Sequence, residues 1–130
     1  MNIRTIMMID DEDDIRTIGK LSLHNVGKWE VIMAPSGTDA LKLLASGRPD
    51  VILLDVMMPG LDGPATLARI RALEGMAGVP VIFMTAKVQR QEVERYMELG
   101  AVGVISKPFD PMNLPEEIRK IVDAIPGARP

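Results

Sequence analysis

Cysteine is absent from the 130-residue chain, which excludes a disulfide scaffold, a thiolate metal site and a cysteine nucleophile. Aromatic residues are almost as scarce, with one Trp, one Tyr and two Phe, and the net charge is −3. A protein that grips a nucleic-acid backbone needs a basic face and stacking platforms, so direct nucleic-acid binding is not expected. The single histidine, His24, offers no metal cluster and reads as a surface residue of a first helix. Long apolar runs are missing too. The N-terminus leads into a short run that meets acid at Asp10, too brief for a secretory core or a membrane span, and a cytoplasmic address follows by default. A glycine-rich phosphate loop is also lacking, because Ser22 stands where such a motif before Gly27-Lys28 needs its first glycine.

What the chain has is alternation between two hydrophobic periods. Apolar β-type runs fall near 5–9, 29–33, 51–54, 79–84 and 102–105. Between them lie stretches with apolar residues at helical spacing. The first carries Ile15, Ile18, Leu21 and Val26 and stops at Gly27. The second opens at the Pro35-Ser36 cap signal and ends before Gly47, and the third opens at Gly63-Pro64, where proline suits a first turn. The fourth runs from about 88 to 99, and Gly100 supplies a left-handed stop. The last carries Ile118, Ile121, Val122 and Ile125, and Pro115 forces it to begin late, near Asn113 or Leu114. Runs 51–54 and 79–84 are continuously apolar, as strands covered on both faces are. Five strands alternating with five helices predict a doubly wound α/β domain with a parallel sheet and right-handed crossovers. One domain over 1–125 is expected, followed by a short tail, 126–130. Ten methionines read as core filler, since several fall inside strands.

Four polar signals each follow directly on one of these runs: Asp10-Asp11, Asp55, Thr85 and Lys107-Pro108. In a parallel sheet all four gather at the carboxyl edge, where open α/β sheets place their ligand sites. Three carboxylates, a hydroxyl and an ammonium suit a divalent cation and a phosphoryl group, since hard cations want oxygen and a transferring phosphoryl wants fixed positive charge. Each signal has a plainer account when taken alone. Acids suit a helix start, which covers Asp13 and Asp14; an Asp opens a turn, a Thr caps one, and a Lys is solvated. Their common placement argues for a site, and the adjacent Asp10 and Asp11 need a cation or a lysine to offset their repulsion.

The chain resembles a response-regulator receiver domain, the phosphoacceptor module of two-component signalling. The resemblance rests on Ile9-Asp10-Asp11, Leu53-Leu54-Asp55-Val56-Met57-Met58-Pro59-Gly60-Leu61-Asp62-Gly63, Pro80-Val81-Ile82-Phe83-Met84-Thr85-Ala86 and Gly100-Ala101-Val102-Gly103-Val104-Ile105-Ser106-Lys107-Pro108-Phe109, in the family's order over about 3–125. It implies a flavodoxin-like fold with strand order 2-1-3-4-5. It implies Asp55 as acceptor of a phosphoryl group from a phosphohistidine on a sensor histidine kinase or phosphotransfer protein. Mg2+ would be held by Asp11, Asp55 and the backbone carbonyl of Met57, and by Asp10 largely through water. Lys107, before a cis Pro108, would pair with a phosphoryl oxygen, and Thr85 would donate its hydroxyl. A phosphorylation-dependent surface on helix four, strand five and helix five would then meet a downstream protein or a second copy.

The chain departs from the family's best-known switch. Val104 stands three residues before the lysine, where an aromatic often flips, so an aromatic flip is not expected as the readout. Met57 and Lys87, two past the acceptor and two past the threonine, should flank the phosphoryl group. An aspartate-nucleophile phosphatase needs a second acid where Met57 stands. A phosphorylation-independent module on the same fold, a pseudo-receiver, is the remaining alternative.

Overall fold

Each of the three central strands carries an apolar run that meets a polar residue at its carboxyl end. β1 (Thr5–Ile9, TIMMI) is followed by Asp10, β3 (Val51–Asp55, VILLD) ends on Asp55, and β4 (Val81–Thr85, VIFMT) ends on Thr85. In the computed structural model, which describes residues 2–126, these strands form a parallel sheet with β2 (Glu30–Ala34) and β5 (Gly103–Ser106), in the order 2-1-3-4-5. Successive strand residues face opposite sides. Met7, Ile9, Ile52, Leu54, Val81 and Phe83 therefore pack under α2 (Gly37–Leu44), α3 (Gly63–Ala72) and Tyr96 of α4 (Arg90–Glu98). Ile6, Met8, Val51, Leu53, Ile82 and Met84 pack with Leu23 and with Leu114, Ile118 and Val122 of α5 (Leu114–Asp123). The expected α/β architecture and strand order are those observed. The expected tail lies, beyond Pro126, outside the described residues.

Several local expectations are met. Ser36 caps α2 by accepting the Asp39 N–H at 3.0 Å. Asp62 caps α3 by accepting that of Ala65 at 2.9 Å, with Pro64 in the first turn. Gly100 closes α4 at φ +112. Pro115 sits in the first turn of α5, where its missing N–H removes no helical bond.

The first helix differs. α1 covers Asp13–Leu21 and then widens into a π-turn, Ser22–Val26, in which the Gly27 N–H reaches back five residues to the Ser22 carbonyl. Of the expected Ile15, Ile18, Leu21, Val26 stripe, Ile15 packs against the core, but Ile18, Leu21 and Val26 do not form the inward side. Those side chains are 41%, 55% and 36% exposed, whereas Gly19, Ser22 and Leu23 are buried. The helix lies so close to β1 that a Cβ on Gly19 would stand 2.3 Å from the Met8 sulfur, which favours small residues there. The left-handed residue that reverses the chain is Lys28, at φ 64. Gly27 is needed instead for close approach, since its Cβ would meet the Leu23 carbonyl at 2.6 Å. Of the methionines, Met7, Met8, Met58, Met76 and Met84 are core, while Met57, Met97 and Met112 are exposed.

Gly63 locks α3 against the end of β3. A Cβ there would lie 2.6 Å from the Asp55 carbonyl oxygen and 2.7 Å from the Val56 Cα, both backbone atoms that cannot swing aside. Gly63→Ala is expected to destabilise the fold by about 1–3 kcal/mol, the usual range for overpacking. Urea unfolding measures this, and a loss below about 0.5 kcal/mol, the level of an ordinary surface change, would mean that the loop after Asp55 gives way freely.

Candidate functional site

Register brings the polar strand ends together. Ile9 pairs with Leu54, so Asp10 and Asp55 emerge side by side; Asp55 pairs with Met84 and Thr85 with Ser106. The Lys107 N–H donates to the Thr85 carbonyl at 2.9 Å, tying the loops that follow β4 and β5, and the Lys107-Pro108 peptide is cis as expected. Of the expected residues, Asp55, Met57, Thr85 and Lys107 line one depression of about 360 Å3, joined by Glu12, Ile15, Ala86 and Pro108, whereas Asp10, Asp11 and Lys87 are not part of its lining.

Asp10, beside Asp55, is fully buried, with each carboxylate oxygen engaged. Oδ1 accepts the Glu12 N–H at 2.9 Å and Oδ2 accepts the Lys107 ammonium at 2.9 Å. Lys107 Nζ also lies 3.4 Å from Asp55 Oδ1 and 3.4 Å from Glu12 Oε1. Thr85 is buried, and its hydroxyl accepts the Lys87 N–H at 3.0 Å. Used there as an acceptor, the hydroxyl keeps its proton for another oxygen.

This environment shifts the charges. The Asp55 carboxyl is raised to about 6: burial, and after it the Asp10 charge, push it up, while the Lys107 ammonium and the Met57 N–H oppose them. For Lys107, burial works against the charged form, but the hydrogen bond and charge of Asp10, with Asp55 and Glu12, outweigh it and raise its pKa. Lys107 thus stays an ammonium while Asp55 titrates near neutrality.

One carboxylate oxygen from each of Asp10, Asp11, Glu12 and Asp55 falls within 4.8 Å of the others. Asp11 is exposed at the rim. Four clustered hard oxygen donors fit a small divalent cation. Two participants escaped the sequence reading. Glu12 was hidden in the five-acid run 10–14, where composition cannot tell loop acids from helix-start acids. Arg16, one turn into α1, donates to the Asp10 carbonyl at 2.7 Å and pairs with Asp13; nothing but the helix boundary could have flagged it.

The comparisons agree with this geometry. The family model described as the response regulator receiver domain matches residues 6–119. The transcriptional regulatory protein AfsQ1 of Streptomyces coelicolor is 40% identical over 118 residues, covering 91% of this chain and 51% of that protein. The chemotaxis protein CheY of Pseudomonas aeruginosa is 34% identical over 122 residues, covering 94% and 98%. The chain thus spans about half the length of that transcriptional regulator and nearly all of the chemotaxis protein. Among solved structures, the chemotaxis protein CheY4 of Vibrio cholerae superposes with a TM-score of 0.85 at 27% identity, covering 92% of this chain and 99% of that one. The signal receiver domain of a signal transduction histidine kinase from Syntrophus aciditrophicus gives 0.79 at 26%, covering 95% and 93%. Sheet order, site geometry and a family match running from the first strand into the last helix lead to one conclusion: this chain belongs to the response regulator receiver domain family, whose members are switches of two-component signalling.

Proposed function

We propose that Asp55 accepts a phosphoryl group from a phosphohistidine on a sensor histidine kinase or phosphotransfer protein. The observation that carries this reading is the buried Asp55 carboxylate lying 3.4 Å from the Lys107 ammonium inside the acid cluster. An Asp55 oxygen attacks phosphorus, the donor's N–P bond breaks, and the imidazole leaves with the bond's electron pair. Asp10, Asp11, Asp55 and the Met57 carbonyl are the residues assigned to Mg2+, which neutralises phosphoryl charge when bound. Lys107 meets a second phosphoryl oxygen and Thr85 donates its hydroxyl to a third. The chemistry needs little beyond such positioning and charge.

The unit doing this is the segment 1–125, which we place in the cytoplasm; among the described residues no helix is long and apolar enough to cross a membrane. The readout is a change in the surface of α4, β5 and α5 that meets a downstream protein or a second copy. Val104 is only partly buried against the core and carries no ring to flip, so we assign the motion to Thr85 and the loop it holds through Lys87. With a charge of −3, the domain is assigned no direct nucleic-acid contact. Phosphoryl uptake by the wild type and by Asp55→Asn tests the central claim.

Met57 sets the lifetime of the product in this scheme. Its side chain is 69% exposed at the mouth of the depression, and a thioether is at best a weak hydrogen-bond acceptor, so it covers the phosphoryl without orienting water. Met57→Asn supplies an amide that can hold the attacking water and is expected to shed phosphate several-fold faster. A phosphate-release time course checks this, and equal rates would sink it.

A further inference from the structure

Glu12 has no part in the scheme above, yet its side chain lies over the site. It precedes α1 in extended conformation, at φ −91 and ψ 120, and makes no capping bond with its side chain. Asp13 and Asp14 already supply negative charge to the first turn. The Glu12 carboxylate instead reaches Lys107 at 3.4 Å while remaining 60% exposed, a looser contact than the 2.9 Å bond from Lys107 to Asp10.

An ammonium has three N–H donors, and Lys107 has three carboxylates within reach: Asp10, Glu12 and Asp55. Asp10 is the strained member of this set. It is fully buried, its other oxygen is held by the Glu12 N–H, and it belongs to the cation cluster. An ammonium and a dication drawn to one carboxylate repel each other strongly at such range. On the reading of the acid cluster as a Mg2+ site, we propose that Glu12 is a positioning residue for Lys107. It takes the ammonium when Asp10 turns to the cation, and so keeps Lys107 beside Asp55 until a phosphoryl oxygen claims it. A bound phosphoryl, near −2 in charge, outcompetes the single charge of Glu12, so the hold is released when it is no longer needed.

The test is a double-mutant cycle on Mg2+ affinity by titration calorimetry, using wild type, Glu12→Gln, Lys107→Met and the double variant. Loss of Glu12 is expected to weaken Mg2+ binding about fivefold, roughly the weight of one charge contact at 4 Å in water. Loss of Lys107 should strengthen it, and Glu12→Gln on the Lys107→Met background should cost less than about twofold. A second readout needs no change at Lys107. Acylation of its amine by acetic anhydride should stay slow on adding Mg2+ to the wild type and rise several-fold in Glu12→Gln. Equal losses of Mg2+ affinity on both backgrounds would make Glu12 a partner of the cation itself and overturn the proposal, as would Mg2+ binding and acylation untouched by Glu12→Gln. Wild type that binds no Mg2+ at all would remove the metal reading along with it; normal binding indifferent to Glu12 removes this inference alone.

Discussion

Incubated with Mg2+ and acetyl phosphate at neutral pH, the wild-type chain gains one phosphoryl group by intact mass and Asp55→Asn gains none. The asparagine is the same size but has no anionic oxygen to attack phosphorus. The neighbouring acids cannot stand in for it. Asp10 is fully buried with both oxygens already bonded to the Glu12 N–H and to Lys107, and among the described residues Asp11 forms no ion pair with Lys107, whose salt bridges run to Asp10, Glu12 and Asp55. A nucleophile must also be ionised. Without a cation its carboxyl is pushed up to about 6, so Asp55 is mostly charged at neutral pH, and Mg2+ bound beside it would favour the charged form further. Label on Asp55→Asn would move the acceptor to another acid. Failure of both proteins to label, beside a control receiver that labels normally, would favour the phosphorylation-independent module.

The centre of this fold was readable because its residues permit one arrangement. VILLD and VIFMT are short, β-branched apolar runs between helical stretches, as strands covered on both faces are, and in a parallel sheet their polar ends meet at one edge. The errors sit where another constraint decides. The run at 79–84 was read two residues early at its start, because Pro80 has no N–H to give the ladder; its carbonyl still accepts the Ile52 N–H, and the strand begins at Val81. The face of α1 departs from its apolar stripe beyond Ile15 because close packing over Met8 favours Gly19, which a hydrophobic pattern cannot see. The π-turn escaped for a related reason: the buried Ser22 hydroxyl donates to the Pro111 carbonyl, 89 residues away in sequence. Spacing along a chain carries no trace of such a contact. Glu12 is the corresponding case in the site, since only the three-dimensional position of Lys107 distinguishes it from its four acidic neighbours.

Asp55→Asn, the variant expected to take no phosphoryl group, should be the more stable protein at neutral pH in the absence of divalent cations. A carboxyl whose pKa rises from 3.8 to about 6 on folding binds its proton more tightly in the folded state. The stability this gives is fully present below pH 4 and is lost as the pH rises through 6. The displacement corresponds to at most about 3 kcal/mol, and solvent entering the depression screens part of it, so a gain of about 2 kcal/mol for the neutral asparagine is expected at pH 7.5. Unfolding by urea from pH 4 to pH 8 should show the two proteins diverging between about 4 and 6 and running parallel above. Millimolar Mg2+ should then favour the wild type, because the charge that destabilises the empty cluster is the one that holds the cation. A difference constant across the whole pH range would trace the effect to packing rather than charge, and a less stable asparagine variant would refute the argument. On the proposed function, the buried, crowded carboxylate that weakens the resting fold is also the group that would tie its stability to the cation and take the phosphoryl group.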